Sequence, residues 1–217
     1  MIKNIFFDFN GTILNDVKLC YDIEDEILKE AGLKRVNLDF YLNNFAFPVK
    51  NYYALLGFDF SKKPFEEINK IFMDRYVQRE AKEASIYPDF IEVVNKFKRN
   101  GFKVYCLSAS KQSILENQLK RLGIFNLFDG VVGCNNINGS SKVDVGKDYV
   151  TSHHINPKES IMIGDSEHDY EVSEAIGFNA ALYSKGHCSK ERLLKLNAPV
   201  FDDFKSFFNY VLKFNEN

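Results

Sequence analysis

From residue 88 onward the chain alternates between helical spacing and short apolar runs, and this alternation limits the possible folds more than any other feature. Helical patterns cover 89–100, 111–122, 143–153, 167–176, 189–195 and a C-terminal stretch from Phe204. Between them lie Phe102–Leu107, Gly130–Val132, Ser160–Ile163, Asn179–Tyr183 and Pro199–Phe201, mostly apolar and rich in β-branched or aromatic residues. A period-2 run and a period-3.6 run bury different faces, so each segment has one good solution. Strands joined through helices must run parallel, with right-handed crossovers. The opening run Lys3–Phe9, ending at Asn10-Gly11, reads as a further strand entering a turn. The fold class is therefore α/β, a doubly wound parallel sheet.

One stretch does not fit the alternation. From Asp16 to Ala31 the apolar residues Val17, Cys20, Tyr21, Ile23, Ile27 and Leu28 recur at helical spacing, and Gly32 follows as a C-cap. Residues 38–58 are helical fragments broken by Pro48 and Gly57, and 64–84 is helical again, with Ile68, Ile71, Phe72 and Tyr76 on one stripe. No strand is expected in this segment, so it reads as an all-helical cap domain over 15–85, inserted into a core made of 1–14 and 86–217. Hinges are expected near 13–16 and 84–88.

Composition narrows the function. The chain has 217 residues, 45% hydrophobic with 21 Phe, enough to fill one large core. Its 28 Lys and Arg against 30 Asp and Glu give a net charge of -2, the wrong balance for a protein living on nucleic-acid phosphates. Cys20, Cys106, Cys134 and Cys188 are far apart and form no CxxC pair, which argues against a disulfide framework or a zinc site. No apolar run is long enough to span a bilayer, and Met1 begins a strand-like run rather than a signal peptide. The expectation is a cytoplasmic protein, monomer or small homo-oligomer, whose partner is a small molecule rather than nucleic acid or membrane.

In an open parallel sheet, ligands bind beyond the carboxyl ends of the strands. Four polar positions fall there: Asp8-Phe-Asn10-Gly11-Thr12 after the first strand, Ser108-Ala109 after Leu107, Lys142 at the start of the helix beyond 130–132, and Gly164-Asp165-Ser-Glu-His-Asp169 after Ile163. Carboxylates, a hydroxyl and an ammonium converging at one edge can bind Mg²⁺ and a phosphoryl group together. Asp8 and Asp165 offer hard oxygen ligands, and Asp8 can also attack phosphorus. Lys142 balances negative charge. Ser108 and the backbone N–H groups after Asp8 can donate to phosphoryl oxygens, Gly11 permitting the tight turn.

These motifs, in this order, resemble the haloacid dehalogenase (HAD) superfamily, specifically its phosphoglycolate-phosphatase-like branch with a helical cap of the C1 type after the first strand, and the likeness spans nearly the whole chain. The resemblance implies a HAD-like Rossmannoid core, a phosphoric monoester hydrolase acting on a small phosphorylated metabolite, and Mg²⁺ as cofactor. It implies catalytic roles for Asp8, Asn10, Ser108 and Lys142, substrate contacts from Gly11, Thr12, Ser108, Ala109 and Lys142, and metal ligation by Asp8, Asn10 through its backbone carbonyl, Asp165 and Asp169. Lys147 rivals Lys142 but falls about one turn into the helix.

The chain departs from the family at Asn10, where the motif DxDGT has a second Asp acting as acid and base. An amide can do neither, and losing a positioned acid/base costs about 10²- to 10⁴-fold in rate. A slow phosphatase is one outcome, and a phospholigand-binding protein without turnover is the alternative. The dehalogenase and phosphonate-cleaving branches also lack that Asp; the first needs no metal, against Asp165 and Asp169, and the second relies on a cap lysine, for which Lys18, Lys29, Lys34 and Lys50 are unranked candidates. His168 and the pair His153-His154 read as exposed helix positions, and Phe45, Phe47, Tyr52 and Tyr53 as cap core rather than pocket.

Overall fold

A computed structural model describes residues 1–134 and 141–216. Six parallel strands form the main sheet: β1 (Asn4–Phe7), β4 (Lys103–Lys111), β5 (Gly130–Cys134), β6 (Ser160–Gly164), β7 (Asn179–Tyr183) and β8 (Val200–Phe201). Their order is β5-β4-β1-β6-β7-β8. The core helices are α5 (Phe90–Arg99), α6 (Gln112–Arg121), α7 (Lys142–Ser152), α8 (Glu167–Ile176), α9 (Lys190–Leu193) and α10 (Phe204–Glu216).

The central strand explains why both faces are covered. Successive side chains of a strand point to opposite faces, and β1 is apolar on both after Asn4. Ile5 and Phe7 join Phe90 and Phe97 of α5 and Phe204 and Phe207 of α10. The Phe7 ring meets Phe90 edge-on at 5.2 Å and Phe204 at 5.8 Å. Phe6 faces the other way, stacked at 4.6 Å on both Tyr105 and Phe178, above Val145 and Val150 of α7 and Val172 of α8. Parallel sheets need helices on both faces; deleting the Phe7 ring should cost about 3–5 kcal/mol.

The chain leaves β1 toward β4 and β5, then returns to place β6 on the other side of β1. β1 and β6 thus flank the switch point where an open α/β sheet forms its crevice. Their register pairs Phe7 with Ile163, and the Asp8 N–H extends the ladder to the Ile163 carbonyl at 2.9 Å. Asp8 and Asp165 therefore emerge side by side.

The inserted helices are α1 (Val17–Glu30), α2 (Leu38–Asn44), α3 (Val49–Leu55) and α4 (Phe65–Glu83). They bury a separate cluster that includes Ile23, Leu28, Tyr41, Tyr52, Tyr53, Ile68 and Tyr76. Two details differ from the sequence reading. A short antiparallel ribbon, β2 (Leu14–Asn15) with β3 (Ser85–Ile86), ties the two crossings between core and cap together. Strand β4 runs on past Leu107 to Lys111, with a register shift that re-aims Ser108 to Ser110 before Lys111 pairs with Cys134; such irregularities are common beside functional sites.

Candidate active site

The loop after β1 is built by its own backbone. Leu14 N–H bonds the Phe9 carbonyl at 2.8 Å and Gly11 N–H bonds the Leu14 carbonyl at 2.9 Å. Gly11 holds φ of 73°, a conformation costly for side chains, and a Cβ there would collide with Asp165 and His187. The Thr12 hydroxyl donates to Asp165 Oδ1 at 3.2 Å, and Gly11 N–H also reaches Asp16 Oδ1 at 3.0 Å. The donors expected at Gly11 and Thr12 to meet a phosphoryl group are thus engaged within the protein: both residues shape the site.

Lys142 begins α7, capped by Ser141 in a reciprocal box with Asp144. Its ammonium is buried, bonding Asp8 Oδ1 and, at 2.6 Å, Asp169 Oδ1. Lys147, the rival, is exposed. Asp169 sits in the first turn of α8, where Oδ2 accepts from the Ser166 hydroxyl at 2.6 Å and from the Asp165 N–H at 3.2 Å. Asp165 Oδ2 accepts the His187 N–H at 2.6 Å. Ser108 is buried, its oxygen accepting the Ser110 N–H at 3.1 Å, while Ala109 beside it is exposed.

The electrostatics of this cluster are unbalanced. Oxygens of Asp8, Asp165 and Asp169 lie within 4.8 Å of one another, all three residues are buried, and one ammonium faces them. Burial, reinforced by the neighbouring carboxylates and opposed by Lys142, pushes Asp8 well above the usual carboxylate range. Burial also pushes Asp165 up to about 6, against the pull of His187. Asp169 stays below its ordinary value, because Lys142 and Ser166 outweigh its burial. Lys142 is held above its ordinary value despite burial, by Asp169 and Asp8. Three buried acids against one cation form a hard-oxygen, electron-rich pocket that suits a divalent cation such as Mg²⁺.

Asn10 faces a second polar cluster that the sequence reading missed. Its Nδ2 donates to Asp16 Oδ2 at 2.8 Å and to the Tyr76 hydroxyl at 2.7 Å, while Oδ1 accepts from Ser110 Oγ at 3.3 Å. Asp16 is 1% exposed and also pairs with His187 Nε2 at 3.1 Å. His187 Nδ1 meets the Tyr41 hydroxyl at 2.8 Å. Burial would lower His187, yet Asp16 raises it to about 9; Asp16 is held below its ordinary value against burial by His187, Tyr76 and Asn10. His187 lies beyond the end of β7, so the strand-end rule that found Asp165 points to it as well. Tyr41 and Tyr76 come from the cap and carry no such signal.

Other expectations resolve simply. His153 and His154 are exposed. His168 is half-buried against the Phe47 ring at 5.0 Å, not free on a helix face. Tyr52 and Tyr53 belong to the cap core, but Phe45 and Phe47 line a small cavity with Ser166, His168 and Arg192. Among the described residues, no helix is long and apolar enough to cross a membrane.

Known proteins resemble the chain in sequence and in fold. The chain is 24% identical to a phosphoglycolate phosphatase of Psychrobacter arcticus, over 96% of this chain and 95% of the relative. It is 25% identical to a phosphoglycolate phosphatase of Aquifex aeolicus, over 100% and 98%. Its fold superposes on a haloacid dehalogenase-like hydrolase from Streptococcus pneumoniae with a TM-score of 0.82 at 21% identity, covering 97% of this chain and 98% of that one. A predicted phosphatase from Clostridium acetobutylicum gives 0.82 at 19% identity, covering 98% and 99%. Residues 5–183 match the family described as haloacid dehalogenase-like hydrolase, and the chain belongs to that family.

Proposed function

We propose that the protein is a Mg²⁺-dependent phosphatase that hydrolyses a small phosphate monoester through an aspartyl phosphate on Asp8. The observation that carries this reading is the buried cluster of Asp8, Asp165 and Asp169 with Lys142, placed at the switch point of the sheet. Asp8, Asp165 and the Asn10 carbonyl would hold Mg²⁺, with Asp169 completing the acidic wall, and the ion would supply charge neutralisation for the phosphoryl oxygens. Lys142 engages Asp8 Oδ1, and among the described residues nothing donates to Oδ2.

Asp8 Oδ2 attacks phosphorus in line, forming the O–P bond as the ester P–O bond breaks and the leaving oxygen takes the electron pair. Lys142 opposes the burial that raises Asp8, and a bound cation would supply the further positive charge that favours the attacking carboxylate; the Ser108 hydroxyl, which already accepts from Ser110, keeps its proton free to donate to a phosphoryl oxygen. Water then attacks the phosphorus of the aspartyl phosphate, releasing phosphate and restoring Asp8. Position 10 offers no acid to the leaving group: Asn10 gives its amide protons to Asp16 and Tyr76, and burial with Asp16 beside it raises Tyr76 well above its ordinary value. Leaving groups that depart unprotonated, such as aryl or acyl oxygens, are favoured. Phosphoglycolate, named for the relatives, leaves through an alkyl oxygen and is the metabolite that tests this preference.

The competing reading, a binder of phosphorylated ligands without turnover, draws on Asn10 alone. Release of phosphate from 4-nitrophenyl phosphate with and without Mg²⁺ separates the two. Turnover that needs Mg²⁺ and falls roughly 10⁴- to 10⁶-fold in Asp8→Ala supports the enzyme; phosphate release equal in the wild type and Asp8→Ala would rule it out.

A further inference from the structure

Asp16 collects donors from every side. Its Oδ1 accepts from the Gly11 N–H at 3.0 Å and faces His187 Nε2 at 3.1 Å. Its Oδ2 accepts from Asn10 Nδ2 at 2.8 Å, from the Tyr76 hydroxyl at 2.7 Å and from the Cys20 thiol at 3.8 Å. A carboxylate is acceptor-only, so each of these neighbours must present a hydrogen, and this settles which end of the Asn10 amide points at Asp16. A carboxylate at position 10 would have nothing to give Asp16 and would set two like charges in hydrogen-bond contact inside a buried site. Tyr76 arrives from α4 and Tyr41, through His187, from α2, so two cap helices close the same cluster.

We propose that Asp16 is the positioning residue of the nucleophile loop: paired with His187, its carboxylate fixes the Asn10 amide and accepts Tyr76 from the cap, so that position 10 is oriented only when the cap is docked and an acid is excluded there. Asn10 and Asp16 thus form one exchanged unit, with the charge carried at 16 instead of 10. The inference rests on the phosphatase reading for its kinetic arm and goes beyond it in assigning Asp16, His187 and Tyr76.

The test is a double-mutant cycle on 4-nitrophenyl phosphate with Mg²⁺, using Asn10→Asp, Asp16→Asn and both together, with the melting temperature of each read in parallel. Asn10→Asp is expected to lose about tenfold or more in kcat and to melt lower, and adding Asp16→Asn should recover about tenfold of that loss and raise the melting temperature. Tyr76→Phe guards against variants that fail to fold: it should lower kcat about three- to tenfold with KM within about twofold of wild type, and the loss should vanish in the Asp16→Asn background. An Asn10→Asp protein as active and as stable as wild type, effects of 10 and 16 that simply multiply, or a Tyr76→Phe protein with unchanged kcat overturns the assignment. If the wild type releases no phosphate, the phosphatase reading fails, and the melting temperatures alone decide: coupling between 10 and 16 upholds the exchanged unit, additivity ends it.

Discussion

Two buried charge clusters sit within a few residues of each other along the chain and solve burial in opposite ways. At the sheet edge, three acids gather beside one lysine, which pairs with Asp8 and Asp169. Where the cap meets the core, one acid faces one histidine, with two tyrosines, an amide and a thiol closing the remaining positions. The second cluster is neutral and saturated, as buried ion pairs must be to persist. The first holds excess negative charge, and its acids Asp8 and Asp165 sit above their ordinary values as a result of burial and mutual repulsion. A saturated cluster builds; an unsaturated one binds.

The contrast breaks most sharply by removing the cation from each. Lys142→Met and His187→Asn should each lose about 3–5 kcal/mol in denaturant unfolding, since both leave buried acids uncompensated. Mg²⁺ should return part of the Lys142→Met loss and none of the His187→Asn loss; equal recovery in both would erase the distinction. A lone buried acid sharpens it further. Glu24, inside the cap, is 2% exposed, accepts from the Tyr52 hydroxyl at 2.9 Å, and is pushed by burial from 4.5 up to about 7. Its folded form keeps a proton the unfolded chain has lost, so stability falls as pH rises from 4.5 through about 7. Glu24→Gln should remove that slope and stabilise the protein at alkaline pH by up to about 3 kcal/mol; a variant with unchanged pH dependence refutes it. The smallest effect is on the intact protein. Saturating Mg²⁺ should add about 2.7 kcal/mol at a hundredfold excess over its dissociation constant. If Asp165 serves as the proposed ligand, that gain should shrink as pH falls through about 6, where Asp165 takes up a proton; thermal shifts at a series of pH values give the answer.

How much of this was legible in the sequence follows from range. The strand Asn179–Tyr183 and the helix 167–176 were read to the residue, because a short apolar run and a capped amphipathic helix are local signals. Asp8, Lys142, Asp165 and Asp169 were legible together, since topology delivers strand ends to one place whatever the loops do. Asp16 was read only as the start of a helix, and its role depends on Tyr76, 60 residues away, and His187, 171 residues away. No periodicity encodes those meetings. The tail of β4 was missed for a related reason: Ser108-Ala-Ser110 lacks the apolar character of a strand, and only pairing of Lys111 with Cys134 extends it.

The ribbon of β2 and β3 has a mechanical consequence. Because Leu14 is zipped to Ile86 and Asn15 to Ser85, the helical insert hangs from one double-stranded strap instead of two loose threads. A swing of the insert must twist both strands as a single axle, and Asp16, one step beyond Asn15, rides on that axle. Any such swing would pull on the Asn10 amide from two points, Asp16 on the axle and Tyr76 on the insert.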